Sequence, residues 1–107
     1  MTSLYSELIS AYNNNDYNKM EKYLKQGANP CTNDAELFNN VVIRNDYETL
    51  KLLLKYVDDI SEYRDIINLA CAFNSVDCIK ILYNKINLND FKETHALQII
   101  NKIISVY

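Results

Sequence analysis

The sequence predicts an all-α chain in which three helical hairpins stand side by side and a C-terminal helix closes the row. Three observations carry this expectation. Glycine and proline occur once each in 107 residues (Gly27 and Pro30), which disfavours a turn-rich β fold. Apolar residues recur at helical spacing rather than in alternation. One pattern of about 30 residues returns three times, the signature of stacked repeats.

The repeat is clearest where its second helix begins. Residues 15–25 open with Asn15-Asp16-Tyr17, residues 45–55 with Asn45-Asp46-Tyr47, and residues 74–84 with Asn74-Ser75-Val76; the starts lie 30 and 29 residues apart. In chain order, Leu4, Leu8, Ala11 and Tyr12 form the stripe of a first helix, and the polar Asn13-Asn14-Asn15 turns the chain. Tyr17, Met20, Tyr23 and Leu24 form the next stripe, with Asp16 placed to cap its start. After a connector at 27–34 come Leu37, Phe38, Val41 and Val42, then the turn Arg44-Asn45. Tyr47, Leu50, Leu53 and Leu54 follow, capped by Asp46. Beyond a second connector at 57–63, Asp65 stands as an N-cap before Ile66, Ile67, Ala70 and Cys71; the turn Asn74-Ser75 leads to Val76, Ile79, Leu82 and Tyr83. A third connector at 86–92 precedes Ala96, Leu97, Ile100, Ile103 and Ile104 on a last helix near 94–106. One domain, 1–107, thus divides into repeats at about 3–34, 35–64 and 65–92 and a terminal helix at 93–107. Tyr17 and Tyr47 share one repeat position on the core stripe, and Cys71 and Cys78 fall on faces expected to be buried.

Composition excludes several classes. The 12.5 kDa chain can bury about two-thirds of its unfolded surface, enough for a core without disulfides or metal. A net charge of −3 with no Lys/Arg cluster argues against direct nucleic-acid binding. No apolar run approaches 18 residues, so no membrane span is expected, and the N-terminus lacks the basic start and apolar stretch of a secretory signal. Three cysteines (Cys31, Cys71 and Cys78) read as free thiols in a reducing, cytoplasmic setting. With no Cys-x-x-Cys and only His95 to join them, no metal site and no cofactor is expected. His95 has no nucleophile motif near it and there is no Gly-rich phosphate loop, so the chain reads as a non-enzyme. Asn, Lys, Ile and Tyr supply 45 of the 107 residues, and all four have A/T-rich codons; a virus or an intracellular pathogen is the expected source.

The arrangement resembles the ankyrin repeat, whose pattern is a helix carrying Thr-Pro-Leu-His-x-Ala, a short turn, then Gly-His-x-Glu-Ile-Val-x-x-Leu-Leu-x-x-Gly-Ala-Asp-x-Asn. Leu24-Lys25-Gln26-Gly27-Ala28-Asn29 is similar to the end of that pattern, and Leu50-Lys51-Leu52-Leu53-Leu54 to its centre. Ala11 and Ala70 stand at the alanine of the first helix. Thr-Pro-Leu-His and Gly-His are absent from every repeat, so short connectors are expected in place of regular β-hairpins. A tetratricopeptide-type α-solenoid is the second fit, with a longer period.

The resemblance implies a non-enzymatic protein-binding module, its contacts made by the connectors and the ends of the first helices. Those positions here are Asn13, Asn14, Ile43, Arg44, Ala72 and Phe73, with Asn33, Asp34, Glu62, Tyr63, Arg64, Phe91 and Lys92 on the connectors. Interface energy concentrates in aromatic and arginine anchors, which singles out Arg44, Tyr63, Arg64, Phe73 and Phe91, with Ile43 and Glu62 beside them. The expected partner is a protein of the host. Ile99, Ile100, Ile103, Ile104, Val106 and Tyr107 leave more apolar surface on the last helix than one neighbour covers, so that end is expected to form a homodimer or dock a partner. Asp58, Asp59, Glu62 and Asp65 form an acidic cluster; an alternative role is a small acidic inhibitor of a nucleic-acid-handling enzyme, mimicking phosphate.

Overall fold

A computed structural model describes residues 3–57, 63–83 and 102, with the side chains of Tyr63 and Arg64 excepted. Among the described residues the chain is helical and contains no strand: α1 (Leu4–Asn13), α2 (Tyr17–Lys25), α3 (Thr32–Ile43), α4 (Tyr47–Tyr56), α5 (Tyr63–Ala72) and α6 (Val76–Tyr83). Apart from Lys102, the expected C-terminal helix with His95 lies outside them, as does Phe91 on the third connector.

The helices pair through one recurrent turn. Three residues join α1 to α2, α3 to α4 and α5 to α6, and the middle one is always an asparagine in the left-handed region: Asn15 (φ 56), Asn45 (φ 52) and Asn74 (φ 55). Asn15 N–H donates to Tyr12 O (3.0 Å) and Asp16 N–H to Ala11 O (2.9 Å). The same two bonds recur from Asn45 and Asp46 to Val42 O and Val41 O, and from Asn74 and Ser75 to Cys71 O and Ala70 O. This is the Schellman closure of a helix, which satisfies carbonyls that the helix end leaves free. Asparagine tolerates the conformation because its short polar side chain can hydrogen-bond to the local backbone. Gly27 (φ 103) closes α2 in the same way, with Gly27 N–H on Leu24 O and Ala28 N–H on Tyr23 O.

In the first two hairpins the residue after the asparagine has a second task. Asp16 Oδ1 accepts from Lys19 N–H (3.1 Å) and Asp46 Oδ1 from Thr49 N–H (3.3 Å), so the residue that ends one helix caps the next. Turn and cap occupy the same residues, which leaves no slack between the paired helices.

The pairs stand side by side. α1 packs on α2, α3 on α4 and α5 on α6, while α3 touches α5 and α4 touches both α2 and α6. The buried residues form one cluster running through them, including Leu8, Leu37, Phe38, Val41, Leu50, Leu53, Ile66, Ile67, Ile79 and Leu82. The extents are 47 × 22 × 19 Å, so the long dimension is more than twice either of the others.

Four expectations need correction. Tyr17 and Tyr47 are exposed, not core. The buried arc of α4 is Thr49, Leu50, Leu53 and Leu54, and Tyr47 lies about a quarter-turn from its centre at 100° per residue. Asp65 does not precede its helix; it sits in the first turn of α5, where its charge favours the helix dipole. Tyr63 and Arg64, expected on a connector, begin that helix. Finally, the segment expected as loop at Asn33 and Asp34 is a left-handed turn of three residues, Asn33 (φ 56), Asp34 (φ 57) and Ala35 (φ 61), wound into the start of α3. Ala35, fully buried, carries the largest steric conflict there, since only its Cβ lacks a polar local partner.

The turn geometry sets a direct test. Asn15→Ala and Asn74→Ala should each lower unfolding free energy in urea by about 1 kcal/mol, whereas Asn→Gly at the same positions should leave it unchanged or raised. Equal effects of Ala and Gly would contradict the role given to the left-handed turn.

Candidate functional site

Because each turn has the same bonding, equivalent residues line up along the edge where the turns lie. The C-cap position is Asn14 in the first hairpin and Arg44 in the second. Phe73, placed one residue beyond α5, occupies it in the third. The residue before it is Asn13, then Ile43, then Ala72, and the residue that starts the second helix is Tyr17, then Tyr47, then Val76. The large apolar side chains exposed among the described residues all belong to this set: Phe73 at 54%, and Ile43, Tyr17 and Tyr47 at 39% each. Every other large aliphatic side chain of the paired helices is at least partly covered.

The polar groups along this edge bind neighbouring hairpins together. Thr49, buried at the start of α4, donates its hydroxyl to Asp46 Oδ2 (2.7 Å), so it accepts the hydroxyl of Tyr17 (2.9 Å), which also lies 3.4 Å from Asp46 Oδ1. Burial raises the Tyr17 phenol above its ordinary range; the Thr49 hydrogen bond opposes this and the Asp46 charge adds to it. One hairpin further, Ser75 does not cap its own helix. Its hydroxyl donates to Val42 O of the preceding hairpin, and Asn45 of that hairpin supplies the missing cap: Asn45 Oδ1 accepts from Cys78 N–H (3.2 Å) while its Nδ2 donates to Asp77 (3.1 Å).

Arg44 has a different setting. Its guanidinium carbon lies 5.2 Å from the centroid of the Tyr12 ring, an arrangement worth about 0.5–1 kcal/mol at an exposed site. No carboxylate among the described residues lies within ion-pair distance of Arg44. Tyr12 is only 4% exposed, and its Oη is buried with no acceptor for its proton among the described residues. Burial raises the Tyr12 phenol; the adjacent Arg44, as a charge and as a donor toward the phenol oxygen, draws it partly back, and the Asp46 charge adds to the rise.

Of the residues singled out in the sequence, Ile43, Arg44 and Phe73 come together on this edge. Tyr63 and Arg64 belong to α5 by their backbone, and their side chains, like Glu62 and Phe91, lie outside the described residues. Tyr17 and Tyr47 were missed as surface groups. The signal that could have found them is the capping aspartate: a residue directly after an N-cap starts the first turn, before the helix has a neighbour across its buried face.

Cys71 and Cys78 are buried, and burial lifts both thiols, Cys78 to about 12 with the charges of Asp46 and Asp77 adding to the effect; both are therefore poor nucleophiles. Among the described residues no three of His, Cys, Asp and Glu converge in a way that could hold a metal, and no helix is long and apolar enough to cross a membrane. Comparison of the chain with protein-family models, curated proteins and solved structures gives no match.

Tyr12→Phe should leave stability unchanged or raise it by up to about 1 kcal/mol in thermal and urea melts, because the deleted hydroxyl is buried with no acceptor for its proton among the described residues; a loss above that size would show that the hydroxyl has a structural bond. On the far side of the chain, Tyr5 Oη donates to Glu36 Oε2 (3.2 Å), and burial, with Glu36 assisting, pushes the Tyr5 phenol to about 12. A raised folded value means that its contribution is complete below pH 10, the ordinary value, and is lost as pH climbs toward 12. Stability measured across that window should fall, and Tyr5→Phe should flatten the fall; an unchanged slope would contradict the assignment.

Proposed function

We propose that the chain is a short ankyrin-like solenoid that works as a non-enzymatic protein-docking module, and that its docking face is the edge formed by the hairpin turns. The observation that carries this reading is the concentration of exposed Tyr17, Ile43, Tyr47 and Phe73 at the residues flanking the hairpin turns, with Arg44 among them and Tyr17 and Tyr47 at the same position of successive hairpins. Aromatic and arginine side chains are the groups that dominate protein interfaces. The side-by-side pairs and the elongated extents support a solenoid, whose thin core leaves extended outer surfaces. The A/T-codon bias supports a virus or pathogen as source, and a host protein in the cytoplasm as partner. The acidic-inhibitor alternative draws mainly on Asp58, Asp59 and Glu62, and the dimer expected from the last helix on Ile99 to Tyr107; all of these lie outside the described residues.

The test is a paired substitution. Ile43→Ser with Phe73→Ser should abolish proteins captured from a host-cell lysate, as read by mass spectrometry, while the melting curve stays within about 0.5 kcal/mol of the parent. Undiminished capture would place the docking face elsewhere.

A further inference from the structure

Three features stand out beyond the docking face as a whole. The left-handed turn at Asn33, Asp34 and Ala35 is strained, but its strain points to no ligand. The buried thiols of Cys71 and Cys78 are held protonated and sealed in the core. The third feature is the Arg44–Tyr12 pair, and it is the one that specifies a ligand chemistry.

Arg44 is a permanent cation on the surface with no described counter-ion, held over an aromatic ring. Beside it lies an enclosed hydroxyl whose proton finds no acceptor among the described residues, a state that costs stability in a folded protein. Asp46, two residues further along the chain, is already held by Thr49 and Tyr17. A guanidinium with no carboxylate partner and a hydroxyl proton with no acceptor, both among the described residues, thus lie together next to the exposed Ile43 and in line with Phe73 of the following hairpin.

We infer that Arg44 and Tyr12 form an anchor for a single carboxylate side chain of a protein partner, with apolar residues on either side of that carboxylate resting on Ile43 and Phe73. The guanidinium presents a planar fork that matches a carboxylate. Its side chain is long and exposed, so turning the fork toward a ligand uncovers the Tyr12 hydroxyl as a further donor. Asp16, Asp46, Glu48 and Asp77 occupy the same edge, and their charge repels a dianionic phosphate more strongly than a single carboxylate. The inference rests on the docking reading above and deepens it by naming what the partner must carry.

Three capped tripeptides test it on the full chain: Leu-Glu-Phe, Leu-Gln-Phe and Leu-phosphoserine-Phe, each titrated while the Arg44 Nε–H resonance is followed by NMR. The Glu peptide should bind about tenfold tighter than the isosteric Gln peptide and at least as tightly as the phosphoserine peptide. Arg44→Gln should remove the preference for Glu over Gln. Tyr12→Phe should reduce it by at least about threefold with no loss in melting temperature, a combination that a purely structural role would not produce. Equal binding of the Glu and Gln peptides, or a preference that survives Arg44→Gln or is untouched by Tyr12→Phe, overturns the carboxylate anchor but leaves the apolar docking face standing. Tighter binding of the phosphoserine peptide overturns it in favour of a phosphate ligand. Failure of all three peptides to shift the resonances of Arg44, Ile43 and Phe73 overturns both the anchor and the docking face.

Discussion

The left-handed asparagine at each hairpin turn is the constraint on which the rest of the chain depends. A residue with positive φ reverses the backbone in one step and lets two amides fold back onto the carbonyls at the helix end. Only three residues then separate the paired helices, and the last of them is already in place to begin the next helix. With so short a link, the apolar stripes of the two helices have a fixed angular relation, and both turn toward the neighbouring pair. A longer or looser turn would let one helix rotate and would break the continuous core that joins Leu8 to Leu82.

Around this core the junctions between hairpins are polar and are not copies of one another. The first uses Tyr17, Thr49 and Asp46; the second uses Ser75 on Val42 O and Asn45 on the start of α6. Hydrogen bonds have directional geometry, so each junction fixes how far one hairpin is shifted along its neighbour, which apolar contact alone specifies poorly. Further along the first junction, Glu21 reaches Lys55 at 3.4 Å on the exposed surface, a pair of little energetic weight but consistent with the same register.

Much of this architecture could be read from the chain. The stripes ending in Leu24, Leu54 and Leu82 and the caps at Asp16 and Asp46 were legible because helix periodicity and capping are local signals. What was not legible has two physical origins. Asn15, Asn45 and Asn74 were hidden by a composition rich in asparagine, so a residue chosen for its backbone was indistinguishable from one favoured by codon bias. The same holds for the left-handed turn at Ala35, where no glycine advertises it. The site was lost for another reason: Arg44 over Tyr12 and Tyr17 on Thr49 are each contacts across 32 positions, and nothing in a local window reports them. Spacing placed Tyr17 and Tyr47 with the core, but their position at the helix start carries them past the end of the buried arc.

The borrowed cap of α6 gives the row of hairpins a polarity. The second hairpin can complete its own second helix through Asp46, whereas the third obtains that service from Asn45 across the boundary. Hairpin three is therefore a client of hairpin two and not the reverse, and the modules are not interchangeable: transplanted to the front of the chain, the third would lose both Val42 O and Asn45 and would have to turn the Ser75 hydroxyl back onto its own first turn.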